Sequence, residues 1–97
     1  MNDRQYYIYI LTNISNSVVY VGMTNDLLCR IEEHRAGSAD GFTKKYHCHK
    51  LVYYEVFDTA YDAISREKQL KAGSRKKKDA LIATLNLTWK DLVNDLA

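Results

Sequence analysis

Apolar and polar positions alternate in short runs along the chain. Tyr6 to Thr12 is rich in β-branched and aromatic residues, Asn13 to Ser17 carries turn residues, and Val18 to Met23 repeats the first pattern. These segments predict a β-hairpin with a five-residue loop. Thr24-Asn25-Asp26 then supplies cap and first-turn residues for a helix from about Asp26 to Ala36, which Gly37 can end. The segment from Gly37 to His49 has no clear period and reads as a loop. Leu51 to Phe57 is the third strand. Thr59 with Asp62 forms a capping box before a second helix that reaches Lys71 and stops at Ala72-Gly73. Ser74 caps a third helix through Leu85, and Thr88 with Asp91 forms a box before a short final helix through Leu96. The order ββαβααα predicts an α+β fold, a small three-stranded and mainly antiparallel sheet flanked by helices.

At 97 residues, with 46% hydrophobic and 27% charged positions, the chain reads as one globular domain spanning 1–97. Its longest apolar runs fall far short of the roughly 20 residues of a membrane span, so no membrane association is expected. The N-terminus lacks the apolar core of a secretory signal, which makes the cytoplasm the expected compartment and leaves the sequons at Asn13 and Asn86 without meaning. Cys29 and Cys48 lack C-x-x-C spacing and read as reduced thiols.

Charge changes the picture. The net value is only +2, yet Arg66 to Lys78 holds Arg66, Lys68, Lys71, Arg75, Lys76, Lys77 and Lys78 against the single acid Glu67. Such a stripe fits a polyanion such as nucleic acid, or equally a solvated helix face.

Four features carry candidate chemistry. On the second helix Glu67 falls in the middle of the apolar stripe formed by Ala60, Ala63, Ile64 and Leu70. An inward carboxylate requires a cation: a lysine or arginine on a neighbouring element, or a hard metal such as Mg²⁺. On the first helix Leu27, Leu28 and Ile31 make the apolar face. Arg30 and His34 stack along one flank, either as a phosphate-binding pair or as part of a solvated surface. Eight tyrosines include Tyr7 and Tyr9 on one face of the first strand and Tyr20 on its partner, which are either sheet packing or, beside positive charge, a general base. Thr43-Lys44-Lys45-Tyr46-His47 reads as a phosphate-contacting strip with an aromatic for stacking. His47, Cys48 and His49 have ligand types without zinc spacing.

Tyr7-Ile8-Tyr9, then Tyr20-Val21-Gly22, Arg30, His34 and Glu67, resemble in order and spacing the GIY-YIG nuclease superfamily, over about Tyr6 to Leu92. Gly41-Phe42-Thr43, Leu51 to Glu55, Arg66 to Lys71, and Asn86 with Trp89 to Leu92 resemble its small stand-alone bacterial single-domain branch. The resemblance implies divalent-metal-dependent hydrolysis of a phosphodiester, with DNA as the expected substrate and repair or processing as the setting. Tyr9 or Tyr20 would help deprotonate water, Arg30 would bind the scissile phosphate, and His34 would assist by hydrogen bonding or proton transfer. Glu67 would hold Mg²⁺ or Mn²⁺; Tyr7, Gly22 and Asn86 would support the site. Tyr7 stands where the name-giving glycine would be, Val21 replaces isoleucine, and Met23 replaces a lysine found in some relatives. Relatives with defined targets append a further binding domain. Selectivity here would come from Lys44, Lys45, Tyr46 and the basic stripe, or from a targeting protein. A nucleic-acid-binding or adaptor module with little catalysis is the alternative.

Overall fold

The computed structural model describes residues 5–38 and 41–96. Strands β1 (Tyr6–Thr12), β2 (Val19–Thr24) and β3 (Lys50–Phe57) form one antiparallel sheet in the order β2-β1-β3. Helix α1 (Leu27–Ala36) and a short helix α2 (Gly41–Tyr46) lie between β2 and β3. Helices α3 (Ala60–Ala72) and α4 (Arg75–Leu85) follow, and a 3₁₀ turn, Leu92–Asp95, closes the described chain. The α+β class and the antiparallel three-stranded sheet are those expected, with α2 added.

Local chemistry explains the boundaries. Asn13 Oδ1 accepts from the Ser17 and Val18 amides and closes the hairpin loop. Asp26, Thr59 and Ser74 cap α1, α3 and α4 by accepting from the amides of Cys29, Asp62 and Lys77. Gly37 ends α1 at φ 76°, a left-handed conformation that costs glycine nothing. The last turn departs from expectation: Asp91, not Thr88, is its cap, accepting from the Val93 amide.

Strand alternation gives the sheet two buried faces. Ile8 and Ile10 pack with Val21, Val52, Ala63, Leu70 and Ile82 under α3 and α4. Tyr9 and Leu11 pack with Leu27, Ile31, Cys48, Leu51 and Leu92 under α1 and the 3₁₀ turn. A register shift sets Ile10 opposite Tyr53 but Leu11 opposite Leu51, so Val52 is the extra residue of a bulge. Asn86 holds that bulge. Its buried amide donates to the carbonyls of Val52 (3.1 Å) and Lys90 (2.7 Å), and its Oδ1 accepts from the Lys90 amide. A second staple fixes α3: Arg66 donates to both oxygens of Glu55, at 3.0 and 2.9 Å, and the Tyr53 hydroxyl donates to Glu55 at 2.5 Å. Burial, followed by the Glu55 hydrogen bond, pushes the Tyr53 phenol up to about 12.

Candidate active site

Pairing in the hairpin places Tyr9 opposite Gly22 and Leu11 opposite Tyr20, so both tyrosines emerge on the α1 face. Tyr9 is 1% exposed, and its phenol lies directly over the Gly22 backbone. A Cβ at position 22 would overlap the Tyr9 Cζ and hydroxyl. Glycine is thus what lets the ring lie flat across β2.

The Tyr9 hydroxyl meets His34 Nε2 at 2.8 Å, and His34 Nδ1 meets Thr43 Oγ1 at 2.7 Å. His34 and Thr43 are fully buried, so this polar chain runs through the interior with its members satisfied. Tyr20 joins it through ring contacts, with centroids 6.4 Å from Tyr9 and 5.5 Å from His34. Arg30 lies alongside. Its guanidinium is held above the ordinary value by hydrogen bonding first to Glu33, at 3.0 Å, and then to the Tyr9 phenol. Arg30 also lines a cavity of about 440 Å³ with Tyr6, Asp26 and Cys29. The Cys29 thiol is pushed up, chiefly by the Glu33 carboxylate.

Two expectations about helix faces are corrected. His34 does not share a surface flank with Arg30: it continues the inward row Leu27, Ile31, His34, and Leu28 is the residue left exposed. Glu67 is not centred in a buried stripe. The buried face of α3 is carried by Ala63 and Leu70, Ile64 is 40% exposed, and the Glu67 side chain at 22% exposure occupies the margin. It pairs at 3.3 Å with Lys71 on its own helix, one turn on, and not with a neighbouring element. Lys71 Nζ in turn lies 6.0 Å from the Tyr20 ring centroid, which connects Glu67 to the tyrosine side of the sheet.

The other candidates spread over the surface. Tyr7 is half-buried on the same face as Tyr9, with its hydroxyl donating to Gln5. The expected loop at 37–49 contains α2, which brings Thr43 to His34 and exposes Lys44, Lys45 and Tyr46. Thr43, expected in the phosphate-contacting strip, is instead buried against His34. The basic stripe is partly consumed internally. Arg66 binds Glu55, Arg75 donates to the hairpin carbonyls of Asn16 and Ser17, and Lys78 donates to the Gly73 carbonyl. Lys68, Lys76 and Lys77 are exposed. Asn86 is spent on the β3 bulge.

Residues 5–80 match the family described as GIY-YIG catalytic domain. The chain belongs to the GIY-YIG family. Similar proteins include a UPF0213 protein of Haloquadratum walsbyi, 40% identical over 81 residues that cover 84% of this chain and 89% of that one. A UPF0213 protein of Bacillus pumilus is 33% identical, covering 90% and 88%. The solution NMR structure of a UPF0213 protein from Bacillus halodurans is similar at a TM-score of 0.57 and 29% identity, over 90% of this chain and 92% of that one. For this GIY-YIG domain a nuclease-like function on nucleic acid follows at family level, and the family generally uses a divalent metal. Among the described residues no three His, Cys, Asp or Glu side chains group to form a metal cage. Glu67, the carboxylate expected to hold a metal, stands as a single acidic donor at the margin of α3, paired with Lys71. That chemistry fits an ion such as Mg²⁺, which is commonly held by one or two carboxylates with substrate phosphate and water completing the shell. No described helix is long and apolar enough to cross a membrane.

Proposed function

We propose that the chain is a divalent-metal-dependent endonuclease acting on DNA with limited sequence selectivity. The observation that carries this reading is the meeting of Tyr9, Tyr20 and His34 beside two cations, Arg30 and Lys71. Tyr9 is sequestered over Gly22 with its hydroxyl on His34, so it serves as the rigid support of the site. Tyr20 is the half-buried tyrosine, and Lys71 sets a positive charge beside its ring, the sign that general-base use of a phenol requires. Tyr20 accepts the proton of the attacking water. Arg30 offers planar donors to the scissile phosphate and neutralises its charge. His34, buried between Thr43 and Tyr9, holds the tyrosine pair in register. Glu67 would hold Mg²⁺ or Mn²⁺, which supplies Lewis-acid stabilisation of the leaving oxygen. The Glu67–Lys71 pair is a partly exposed i,i+4 contact, so a side-chain rotation would free the carboxylate for the metal.

Basic residues at the start of α4, where no acidic residue balances the positive end of the helix, support a polyanionic substrate. A non-catalytic binding or adaptor module, directed by a targeting protein, is the second reading; the Glu67–Lys71 pair is the observation that favours it. Labelled single-stranded, nicked, flapped and branched DNAs separate the two. Metal-dependent cleavage by the wild type that disappears in Glu67→Ala and Arg30→Ala is expected. Salt-sensitive binding with no cleavage of any substrate would favour the module.

A further inference from the structure

The tyrosine pair does not end at Tyr20. Its ring lies 5.8 Å from Phe42, and Phe42 lies 4.8 Å from Tyr46, so the aromatic row continues outward along α2. The inner rings are covered and the outer two are exposed: Tyr9 is 1% exposed and Tyr20 half-buried, whereas Phe42 and Tyr46 are 41% and 38% exposed. The rings are tilted by 30° and 50° to one another, so they do not cover each other's faces as a closed stack would. Neither Phe42 nor Tyr46 belongs to the two buried clusters of the core.

Charge identifies the occupant. Helix α2 contains Lys44 and Lys45 and no acid, Lys45 Nζ lies 5.3 Å from the Tyr46 centroid, and Lys71 flanks Tyr20. Beyond Tyr46 the row reaches a cavity of about 700 Å³ whose wall includes His47, His49 and Lys50, and whose one carboxylate, Asp91, is paired with Arg35 at 2.5 Å. Aromatic faces interleaved with cations match bases joined by phosphates, whereas an apolar protein segment would leave the lysines without partners. A base paired within a duplex has both faces covered by its neighbours in the stack. Away from a duplex end, only an unpaired base can lie on Phe42 or Tyr46.

We propose that Phe42 and Tyr46 form a base-stacking platform that gives this domain a preference for nucleic acid whose bases are unpaired beside the scissile phosphate. The proposal rests on the nuclease reading for its scissile phosphate, but its binding component stands apart from cleavage. Helix α2 is anchored from beneath by the Thr43–His34 hydrogen bond and by the Cys48 amide donating to the Thr43 carbonyl, so the exposed rings are presented on a fixed base.

The test is binding without divalent metal, using a fluorescent oligothymidine strand and a duplex of equal length, with unfolding curves as the check on fold. Phe42→Ala and Tyr46→Ala should each weaken single-strand binding by roughly 5–150-fold, the range for loss of one stacking ring, and leave duplex binding unchanged. Phe42→Trp should restore it. Equal losses on strand and duplex, or full single-strand affinity in both alanine variants, would overturn the platform. Cleavage assays keep the two proposals apart. A protein that cuts duplex and single strand alike, with Phe42→Ala indistinguishable, loses the platform and keeps the nuclease. One that cuts nothing, yet binds single strands through Phe42, loses the nuclease and keeps the binding platform.

Discussion

The Tyr9 hydroxyl and His34 Nε2 meet at 2.8 Å in the interior, joining β1 to α1 on the face where Tyr20 emerges. His34 spends its other nitrogen on Thr43 of α2, so one imidazole orders three elements around the candidate site. Tyr9→Phe removes one partner and should destabilise the fold by about 1–3 kcal/mol, the cost of leaving a buried polar group unpaired. His34→Ala strands two hydroxyls and should cost more. Denaturant unfolding of both variants checks the order; a Tyr9→Phe protein as stable as wild type would mean that the hydrogen bond contributes nothing.

Gly22→Ala should be destabilising for a different reason. The new methyl would occupy the space of the Tyr9 phenol, and overpacking of this kind costs about 1–3 kcal/mol. The penalty should largely vanish in a Tyr9→Leu background, where the phenol is gone. A double-mutant cycle on unfolding free energies measures that coupling; strict additivity would contradict the contact.

The Tyr53–Glu55–Arg66 group predicts the pH profile of stability. The Tyr53 phenol rises from the ordinary 10.0 to about 12 in the fold, so folding favours its protonated form. Its contribution is complete below pH about 10 and is lost as pH rises toward about 12. Wild type should therefore lose stability more steeply across that window than Tyr53→Phe. Burial pushes the Glu55 carboxyl up, but hydrogen bonds from Arg66 and Tyr53 outweigh it and hold the group below the ordinary carboxylate value. That contribution is present above the ordinary range and lost as pH falls through the lowered value, so Glu55→Gln should flatten the acid limb. Unfolding midpoints measured across pH in the three proteins check both limbs.

Much of the architecture was legible in the pattern of residues. The Tyr6 to Thr12 strand, the caps at Thr59 and Ser74, and the stop at Gly73 follow from side-chain chemistry within a few positions, and local rules reach that far. Helix α2 was not legible, because six residues opening with Gly41 have no helical preference of their own, and tertiary bonds to Thr43 and Cys48 hold them. Glu67 was read as buried because Ile64 is apolar, yet Ile64 faces outward and the face of α3 turns toward Ala63 and Leu70. A one-dimensional wheel also cannot see that Arg66 and Arg75 are taken up by Glu55 and the hairpin carbonyls, which leaves the basic stripe with fewer available charges than its sequence implies.

Single-turnover cleavage of labelled DNA in Mg²⁺ by wild type and Glu67→Gln, with unfolding measured on the same samples, tests the account most directly. The Glu67–Lys71 pair is a partly exposed i,i+4 contact worth about 0.3–0.5 kcal/mol, so the variant should fold almost as stably as wild type. The account predicts that cleavage disappears while stability stays. A folded Glu67→Gln protein that cuts as fast as wild type would contradict it, as would a wild-type protein that cuts no DNA in Mg²⁺ or Mn²⁺.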